Sequence, residues 1–311
     1  MKLMSSVLIS GINGFVGHHL AKALSDQGFR IIGTGMQPKP TAAIADLIDQ
    51  YINCNMTDAA AVSRLPFEAV DVIFSLAGLA KVGDSFAERQ KYMAVNVNVL
   101  AVVCERLLKQ KLPTKVIAVS TGAVYDPNQP LPFTEDSKLI KDGSPYAVSK
   151  VMMEASARRY IEQGLNCLIV RPFNHIGPGQ EAGFLLPDLY AKIMAASRGD
   201  GVVSVGDLST ARDYTDVRDV VRAYSGLIEA ETSAGSIYNI CSGQPIGGQV
   251  ILDKLLQKTG LSGKLQIKYD QGLARQNDPK LIYGSAAKLQ QATGWQPQIT
   301  LDKTLDDFIG A

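Results

Sequence analysis

Short apolar runs alternate with helical patterns through the first half of the chain. Helical patterns occupy about 15–25 and 87–109, and a third begins at Pro145. Strands that alternate with helices imply parallel crossovers, which are right-handed in nearly all proteins. The pattern therefore predicts an α/β fold with a doubly wound parallel sheet over residues 1–171. The strand-like runs lie at 7–9, 30–34, 51–53, 70–76, 115–120 and 166–170.

The alternation loosens after Arg171. We expect residues 172–311 to form mainly a smaller α/β domain, with the chain returning to the first domain around 215–240. No low-complexity linker separates the two parts, which predicts that they pack against each other. In this half a strand-like run lies at 202–205, and helical patterns lie at 184–197, 217–229, 249–258, 285–292 and 300–308.

The composition is that of a globular protein without strong charge. Of the 311 residues, 46% are hydrophobic and 20% are charged, and the formal net charge is +1. This balance predicts neither nucleic acid nor an acidic membrane surface as a partner. No apolar stretch reaches the roughly 20 residues of a membrane-spanning helix. The apolar run at the amino terminus is too short to predict a signal peptide.

The cysteines and histidines predict neither disulfides nor a metal site. The cysteines are scattered and form no Cys-x-x-Cys pair, which is typical of reduced, buried thiols in a cytoplasmic protein. The three histidines form no ligand cluster, so no metal is expected. These residues are Cys54, Cys104, Cys167 and Cys241, and His18, His19 and His175.

A glycine-rich turn follows the first strand and opens the first helix. Gly11, Gly14 and Gly17 are spaced for a tight turn, a close backbone approach to a diphosphate, and close packing of helix on strand. The start of the helix then offers free amides to the phosphates. This context predicts a dinucleotide site formed by Gly11, Asn13, Gly14, Phe15, Val16 and Gly17.

The end of the second strand carries no acidic residue. In NAD enzymes a carboxylate here usually binds the adenosine ribose hydroxyls, whereas this chain has Thr34-Gly35-Met36 followed by Lys39. We therefore favour NADP(H) as the cofactor, with NAD(H) as the alternative. Asn55 and Met56, after the third strand, are expected either to meet the adenine edge or to form a plain loop.

Tyr146 and Lys150 are spaced to lie one above the other on a helix. Ser144 and Pro145 are typical of the cap and first position of that helix. Tyr146 should therefore lie in the first turn, beside Lys150. A cation and a helix N-terminus both favour the phenolate, which predicts a lowered pKa and a general acid or base.

Two hydroxyl side chains, Ser120 and Thr121, close the fifth predicted strand. Open α/β sheets bind ligands at the carboxyl ends of their strands. A hydroxyl at this place could donate to a developing oxyanion beside Tyr146. Alternatively, Thr121 only caps the strand.

Together, these motifs resemble the extended short-chain dehydrogenase/reductase family over nearly the full length. The glycine turn matches its TGxxGxxG, with Ser10 in place of the threonine, and Ser120–Tyr125 match its S-[ST]-x-x-V-Y segment. Arg171–Asn174 match its entry to the substrate region, and Leu76, Ala77 and Gly78 match its fourth-strand turn, near the cofactor. Asn96 falls where the family has an asparagine in the long helix. The resemblance implies a Rossmann fold with a substrate domain, and a catalytic set of Thr121, Tyr146, Lys150 and Asn96, of which Tyr146 and Lys150 also bind the cofactor.

The resemblance also narrows the reaction. The family's 4,6-dehydratases carry an acidic pair directly after the threonine, where this chain has Gly122 and Ala123. The remaining reactions are reduction or epimerisation at a sugar C4. The segments 171–180, 206–217 and 238–243 look most like GDP-4-dehydro-6-deoxy-D-mannose reductases. This implies a nucleotide-sugar substrate, with a GDP-linked sugar favoured.

Substrate and partner contacts follow from the same resemblance. It implies a homodimer through the long helices near 87–109 and 145–162. One alternative is an NAD-dependent C4 epimerase, and another is a non-catalytic dinucleotide sensor or scaffold. The substrate residues that the resemblance implies are Lys81, Ser85, Thr121, Asn174, Arg212 and Arg275, with the two arginines on the diphosphate.

Overall fold

The computed structural model describes residues 5–273 and 278–311. Its strands are β1 (Ser6–Ser10), β2 (Arg30–Gly35), β3 (Gln50–Asn53), β4 (Val72–Ser75), β5 (Lys115–Val119), β6 (Cys167–Pro172), β7 (Asn174–Ile176), β8 (Val202–Val205), β9 (Ala211–Asp216), β10 (Ile237–Ile240), β11 (Pro245–Gly247), β12 (Gln266–Tyr269) and β13 (Leu281–Ile282). Its helices are α1 (Phe15–Asp26), α2 (Ala59–Val62), α3 (Val82–Ala87), α4 (Arg89–Gln110), α5 (Pro145–Glu162), α6 (Leu185–Arg198), α7 (Val217–Glu229), α8 (Gly248–Lys258), α9 (Ala287–Thr293) and α10 (Leu301–Ile309).

Seven parallel strands form the central sheet, in the order β10-β6-β5-β4-β1-β2-β3. This confirms the predicted doubly wound sheet. Six of the seven strands were predicted from their apolar runs. The seventh, β10, was not, because its four residues carry no clear apolar period. It pairs with β6 in parallel, with Ile237 opposite Ile169, so the chain returns to the sheet after α7.

Successive side chains of the central strands point into two apolar layers, one on each face of the sheet. In β1, Val7 and Ile9 point into one layer and Leu8 into the other, as the pleat requires. The first layer includes residues of α1 and α7, such as Leu20 and Tyr224. The second includes residues of α4 and α5. The sheet is therefore covered on both faces, which is the usual state of a parallel sheet.

The remaining elements form a smaller part at the carboxyl edge of this sheet. β9 pairs with β7, β11 and β13, and β8 pairs with β12. Of these strands only β8 was predicted, because none of the others contains a run of three apolar residues. A separate apolar cluster around Leu186, Ile193 and Leu252 fills this part. The division at residues 171 and 172 stays a prediction.

Three findings concern the cysteines, the length of the helices and possible metal ligands. All four cysteines are free and buried. Among the described residues, no helix is both long and apolar enough to cross a membrane. Within the same ranges, no group of three or more His, Cys, Asp or Glu side chains is placed to bind a metal ion.

Candidate active site

The glycine turn after β1 is built on close backbone contacts. Gly11 has a φ of +72°, and its N–H donates to the Thr34 carbonyl oxygen over 2.9 Å. A Cβ at Gly17 would lie 2.5 Å from the Ile12 carbonyl oxygen, and one at Gly11 would lie 2.9 Å from the Cα of Ala77. Since real Cβ atoms essentially never come so close, both positions require glycine.

The N-terminus of α1 is open to an anion. Gly14 is the capping residue and has no side chain to accept from the first amides, and the first turn holds no acidic residue. Free amides at the start of a helix attract phosphate groups. The turn therefore fits the diphosphate of a dinucleotide, in agreement with the sequence motif.

Asn13 is hydrogen-bonded to the loop after β2. Its amide donates to the side chains of Gln37 and Tyr51 over 3.1 and 3.2 Å, and its oxygen accepts from the Thr41 N–H over 3.1 Å. Asn13 therefore holds this loop beside the glycine turn, and its contact with the cofactor stays a prediction. The groups nearest to the end of β2 in this network are neutral.

The two residues suggested for the adenine edge differ from each other. Asn55 is exposed, and its side chain accepts from the N–H and hydroxyl of Thr57. Met56 is buried, and its sulfur accepts from the Thr34 hydroxyl over 3.3 Å. That these residues meet the adenine stays a prediction.

The loop after β4 meets α4 and α5 at Asn96. The Asn96 amide donates to the Leu79 carbonyl oxygen and to the Ser149 hydroxyl, and its oxygen accepts from the Leu79 N–H. A Cβ at Gly78 would lie 2.9 Å from the Asn96 oxygen and 3.9 Å from the Lys150 ammonium. Asn96 thus fixes the segment that contains Leu76, Ala77 and Gly78 against α5.

The start of α5 presents Tyr146 and Lys150 as its sequence predicts. The Ser144 side chain accepts from the Ala147 N–H, and Pro145 begins the helix. Lys150 is buried, and its ammonium donates to the Val119 carbonyl oxygen over 2.8 Å. The Tyr146 ring meets the Tyr92 ring edge-on, with centroids 6.5 Å apart.

The pKa of Tyr146 is shifted opposite to the expectation. Burial raises the pKa of the phenol, while a hydrogen bond with the Thr121 hydroxyl lowers it by a smaller amount. Burial also lowers the pKa of Lys150 to about 8, which the Glu154 carboxylate partly opposes. The predicted lowering by Lys150 is absent because the ammonium is directed to the β5 backbone.

A buried network lies directly beneath this pair, and the sequence analysis assigned no role to it. Glu154 accepts from the Ser120 hydroxyl over 2.6 Å and from Arg171 over 2.9 and 2.7 Å. Arg171 also donates to the Tyr125 hydroxyl, which donates to Asn239 of β10. The available signal was spacing, since Glu154 follows Lys150 by one further helical turn.

The residues expected around the sugar differ in their exposure and in their partners. Lys81 is partly exposed and lies 3.7 Å from the Glu181 carboxylate, across the segment before α6. Ser85 is buried, and its hydroxyl donates to the Val82 carbonyl oxygen over 2.6 Å. Asn174 is exposed in β7, after the Phe173 ring.

The two arginines expected on the diphosphate cannot both be placed. Arg212 donates to the Asp278 carboxylate over 2.5 Å and to the Ala211 carbonyl oxygen. In this arrangement, its fork is held by an ion pair rather than left open. Arg275 lies outside the described residues.

The comparison with known proteins agrees with this geometry. Residues 7–241 match the NAD dependent epimerase/dehydratase family. The chain belongs to this family. It is therefore an NAD(P)-dependent oxidoreductase-type enzyme of the extended short-chain dehydrogenase/reductase group, as the motifs predicted.

Individual members of the NAD dependent epimerase/dehydratase family are similar over almost the whole chain. GDP-6-deoxy-D-mannose reductase from Pseudomonas aeruginosa is 29% identical, over 96% of this chain and 94% of that protein. UDP-glucose 4-epimerase from Neisseria gonorrhoeae is 24% identical, over 97% of this chain and 96% of that protein. The structure of RMD from Pseudomonas aeruginosa complexed with NADPH superimposes with a TM-score of 0.83 at 27% identity, covering 99% and 98% of the two chains.

Replacement of the buried lysine gives a test of the site's electrostatics. In the folded protein the pKa of Lys150 is about 8, below that of an unfolded lysine, about 10.4. Holding the ammonium in the fold is therefore unfavourable below pH 8, and this cost disappears as pH rises to the unfolded value. We expect Lys150→Met to increase the free energy of unfolding by about 3 kcal/mol at pH 7, and by much less at pH 10.

Urea unfolding of the cofactor-free protein at both pH values measures this difference. Lys268→Met, at an exposed lysine of β12, is the control and should change stability by less than about 0.5 kcal/mol. An equal effect of Lys150→Met at both pH values would contradict a depressed pKa.

Proposed function

We propose that this enzyme uses NADPH to reduce the C4 ketone of a nucleotide-linked 4-keto-6-deoxyhexose. The favoured substrate is GDP-4-dehydro-6-deoxy-D-mannose, which would give GDP-D-rhamnose or its 6-deoxytalose epimer. The observation that carries the proposal is the arrangement of Tyr146, which is hydrogen-bonded to Thr121 and lies one helical turn from Lys150 in α5. A phenol in this place can donate a proton to the oxygen of a bound ketone.

Packing supports the exclusion of dehydration. Beside Thr121, a Cβ at Gly122 would lie 2.8 Å from atoms of the Phe173 ring. A carboxylate side chain at residue 122 would therefore collide with a buried aromatic. Without an acidic pair after the threonine, the site lacks the groups that would expel water from the sugar C6.

Each catalytic residue then has a defined part in the reduction. When bound, the reduced nicotinamide cofactor supplies the hydride to C4. Tyr146 gives its proton to the C4 oxygen as negative charge develops there, and Thr121 donates a hydrogen bond to the same oxygen. Lys150 holds the cofactor ribose. Asn96 holds the loop after β4 against α5, so its part is to position this loop rather than to transfer a proton.

Neutral groups at the end of β2 support NADP(H). A Cβ at Gly35 would lie 2.8 Å from the Tyr51 hydroxyl, 3.0 Å from the Gln37 side chain and 3.5 Å from that of Asn13. Exposed Lys39 follows in the sequence. None of them would repel a 2′-phosphate. The similar structure that contains NADPH agrees with this preference.

The substrate is tested by direct assay. NADPH consumption is measured with GDP-, dTDP- and UDP-linked 4-keto-6-deoxy sugars, and the C4 configuration of the product is determined by NMR. We expect the highest kcat/KM with the GDP-linked sugar, and a higher value with NADPH than with NADH. Co-purified NAD with interconversion of C4 epimers would instead identify an epimerase, like the similar UDP-glucose 4-epimerase from Neisseria gonorrhoeae. No consumption with any of these sugars would favour a non-catalytic sensor.

Loss of a single hydroxyl tests the proton donor. We expect Tyr146→Phe to lower kcat by about 10²- to 10⁴-fold, the usual contribution of general acid catalysis. The NADPH dissociation constant, measured by calorimetry, should change by less than about tenfold, because one hydrogen bond contributes about 0.5–1.5 kcal/mol. Tyr92→Phe is the control: its ring adjoins Tyr146, but its hydroxyl donates to the Lys81 carbonyl oxygen. Near-normal turnover of Tyr146→Phe would refute the assignment.

We also propose a homodimer through α4 and α5. Their outer faces form a groove of about 590 Å³ lined by residues that include Met93, Val97 and Met152. Met152 is 47% exposed, and together with Met93 and Val97 it makes this groove a contiguous apolar surface. A second copy of this helix pair would cover the groove.

Charges on this face should separate the proposed dimer. We expect Val97→Glu combined with Met152→Glu to halve the mass measured by light scattering, because the interface would bury unpaired carboxylates. Val250→Glu, at an exposed valine of α8, should leave the mass unchanged. A monomeric wild-type protein would refute the dimer.

A further inference from the structure

Three consecutive residues at the end of β5 are each bonded to α5. The Val119 carbonyl oxygen accepts from the Lys150 ammonium, and the Ser120 hydroxyl donates to the Glu154 carboxylate over 2.6 Å. The Thr121 hydroxyl bonds to the Tyr146 phenol. Since the three α5 partners are four residues apart, one face of the helix determines where Thr121 lies.

The buried charge in this contact is the Glu154 carboxylate. Glu154 is fully buried and receives two hydrogen bonds from the Arg171 fork, and a longer one of 3.4 Å from Arg158. It also acts on the neighbouring Lys150 charge. The titratable groups around Lys150 and Tyr146 are Glu154 and Arg158 of α5, Tyr92 of α4, Arg171 of β6 and Tyr224 of α7.

We propose that Glu154 is a positioning residue for the catalytic pair: its carboxylate fixes the end of β5 against α5 and is the counter-charge of the Lys150 ammonium. The inference rests on the roles given to Tyr146 and Lys150 under the proposed function. A purely structural ion pair would need only Arg171 as its partner. Here one oxygen of the same carboxylate also bonds Ser120, the residue before Thr121.

Stability alone does not explain this carboxylate. A buried ion pair can often be replaced by apolar side chains of similar volume without loss of stability. The replacement would, however, remove the anion next to Lys150 and the acceptor of Ser120. Replacing Glu154 and Arg171 together by apolar residues therefore separates the contribution of the ion pair to stability from the effect of the carboxylate on Lys150 and Ser120.

The experiment compares the double variant Glu154→Leu/Arg171→Met with the wild type. We expect a melting temperature close to that of the wild type. Glu154 lies one helical turn from Lys150, so loss of its anion should outweigh the simultaneous loss of the Arg171 cation, and the alkaline limb of kcat/KM should move to lower pH. The pH at which NADPH affinity falls, measured by calorimetry without sugar substrate, should move in the same direction.

Two single variants give matched comparisons. Arg171→Met leaves the Glu154 charge uncompensated, so it should move the alkaline limb upward. Ser120→Ala keeps every charge but removes the bond to the end of β5, so it should lower kcat several-fold with no shift of the limb. If Arg171→Met does not fold, the double variant and Ser120→Ala still test both parts.

The outcomes distinguish this inference from the proposed function. A double variant that folds and keeps the wild-type pH dependence of NADPH affinity would overturn the role of Glu154. Because that measurement needs no sugar, it stands even if none of the 4-keto sugars is reduced. Wild-type turnover in Ser120→Ala would overturn the positioning of Thr121.

Discussion

Two buried charges decide where α5 lies on the sheet. The side chains of Glu154 and Arg171 are 0% and 1% exposed, and two hydrogen bonds join them. Leaving either charge without its partner in such a place would cost about 3–5 kcal/mol. The helix can therefore not slide or rotate on β6 without breaking this contact. Because Tyr146 and Lys150 lie on the same helical face as Glu154, their positions follow from it.

Arg171 also contacts the segment that follows Thr121. Its remaining nitrogen donates to the Tyr125 hydroxyl and to the Glu135 carbonyl oxygen. The Glu135 carboxylate in turn accepts from the Asn239 N–H, in the strand at the edge of the sheet. The loop after Thr121 is thereby tied to both β6 and β10. These hydrogen bonds fix the position of the segment that follows Thr121.

Sequence motifs predicted the glycine turn and the start of α5. Contacts between residues that are distant in the sequence could not be predicted in this way. The glycine turn and the Ser144 cap act through backbone geometry within a few residues, so their sequence is sufficient to predict them. Strand β10 forms by pairing with β6. Its own four residues do not indicate this pairing. Likewise, Arg212 meets Asp278 across 66 positions of sequence, and Met56 is buried by its contact with Thr34. Such pairings depend on the assembled fold.

The pKa of Tyr146 shows why spacing alone does not define a catalytic role. On an isolated helix, Lys150 one turn away would favour the phenolate. In the folded protein the ammonium is directed to the Val119 carbonyl oxygen, and burial of the phenol has the larger effect. Burial therefore outweighs the effect that the spacing of the pair predicts. The pKa of Tyr146 depends on the packing around the pair, which the spacing of two residues in the sequence does not contain.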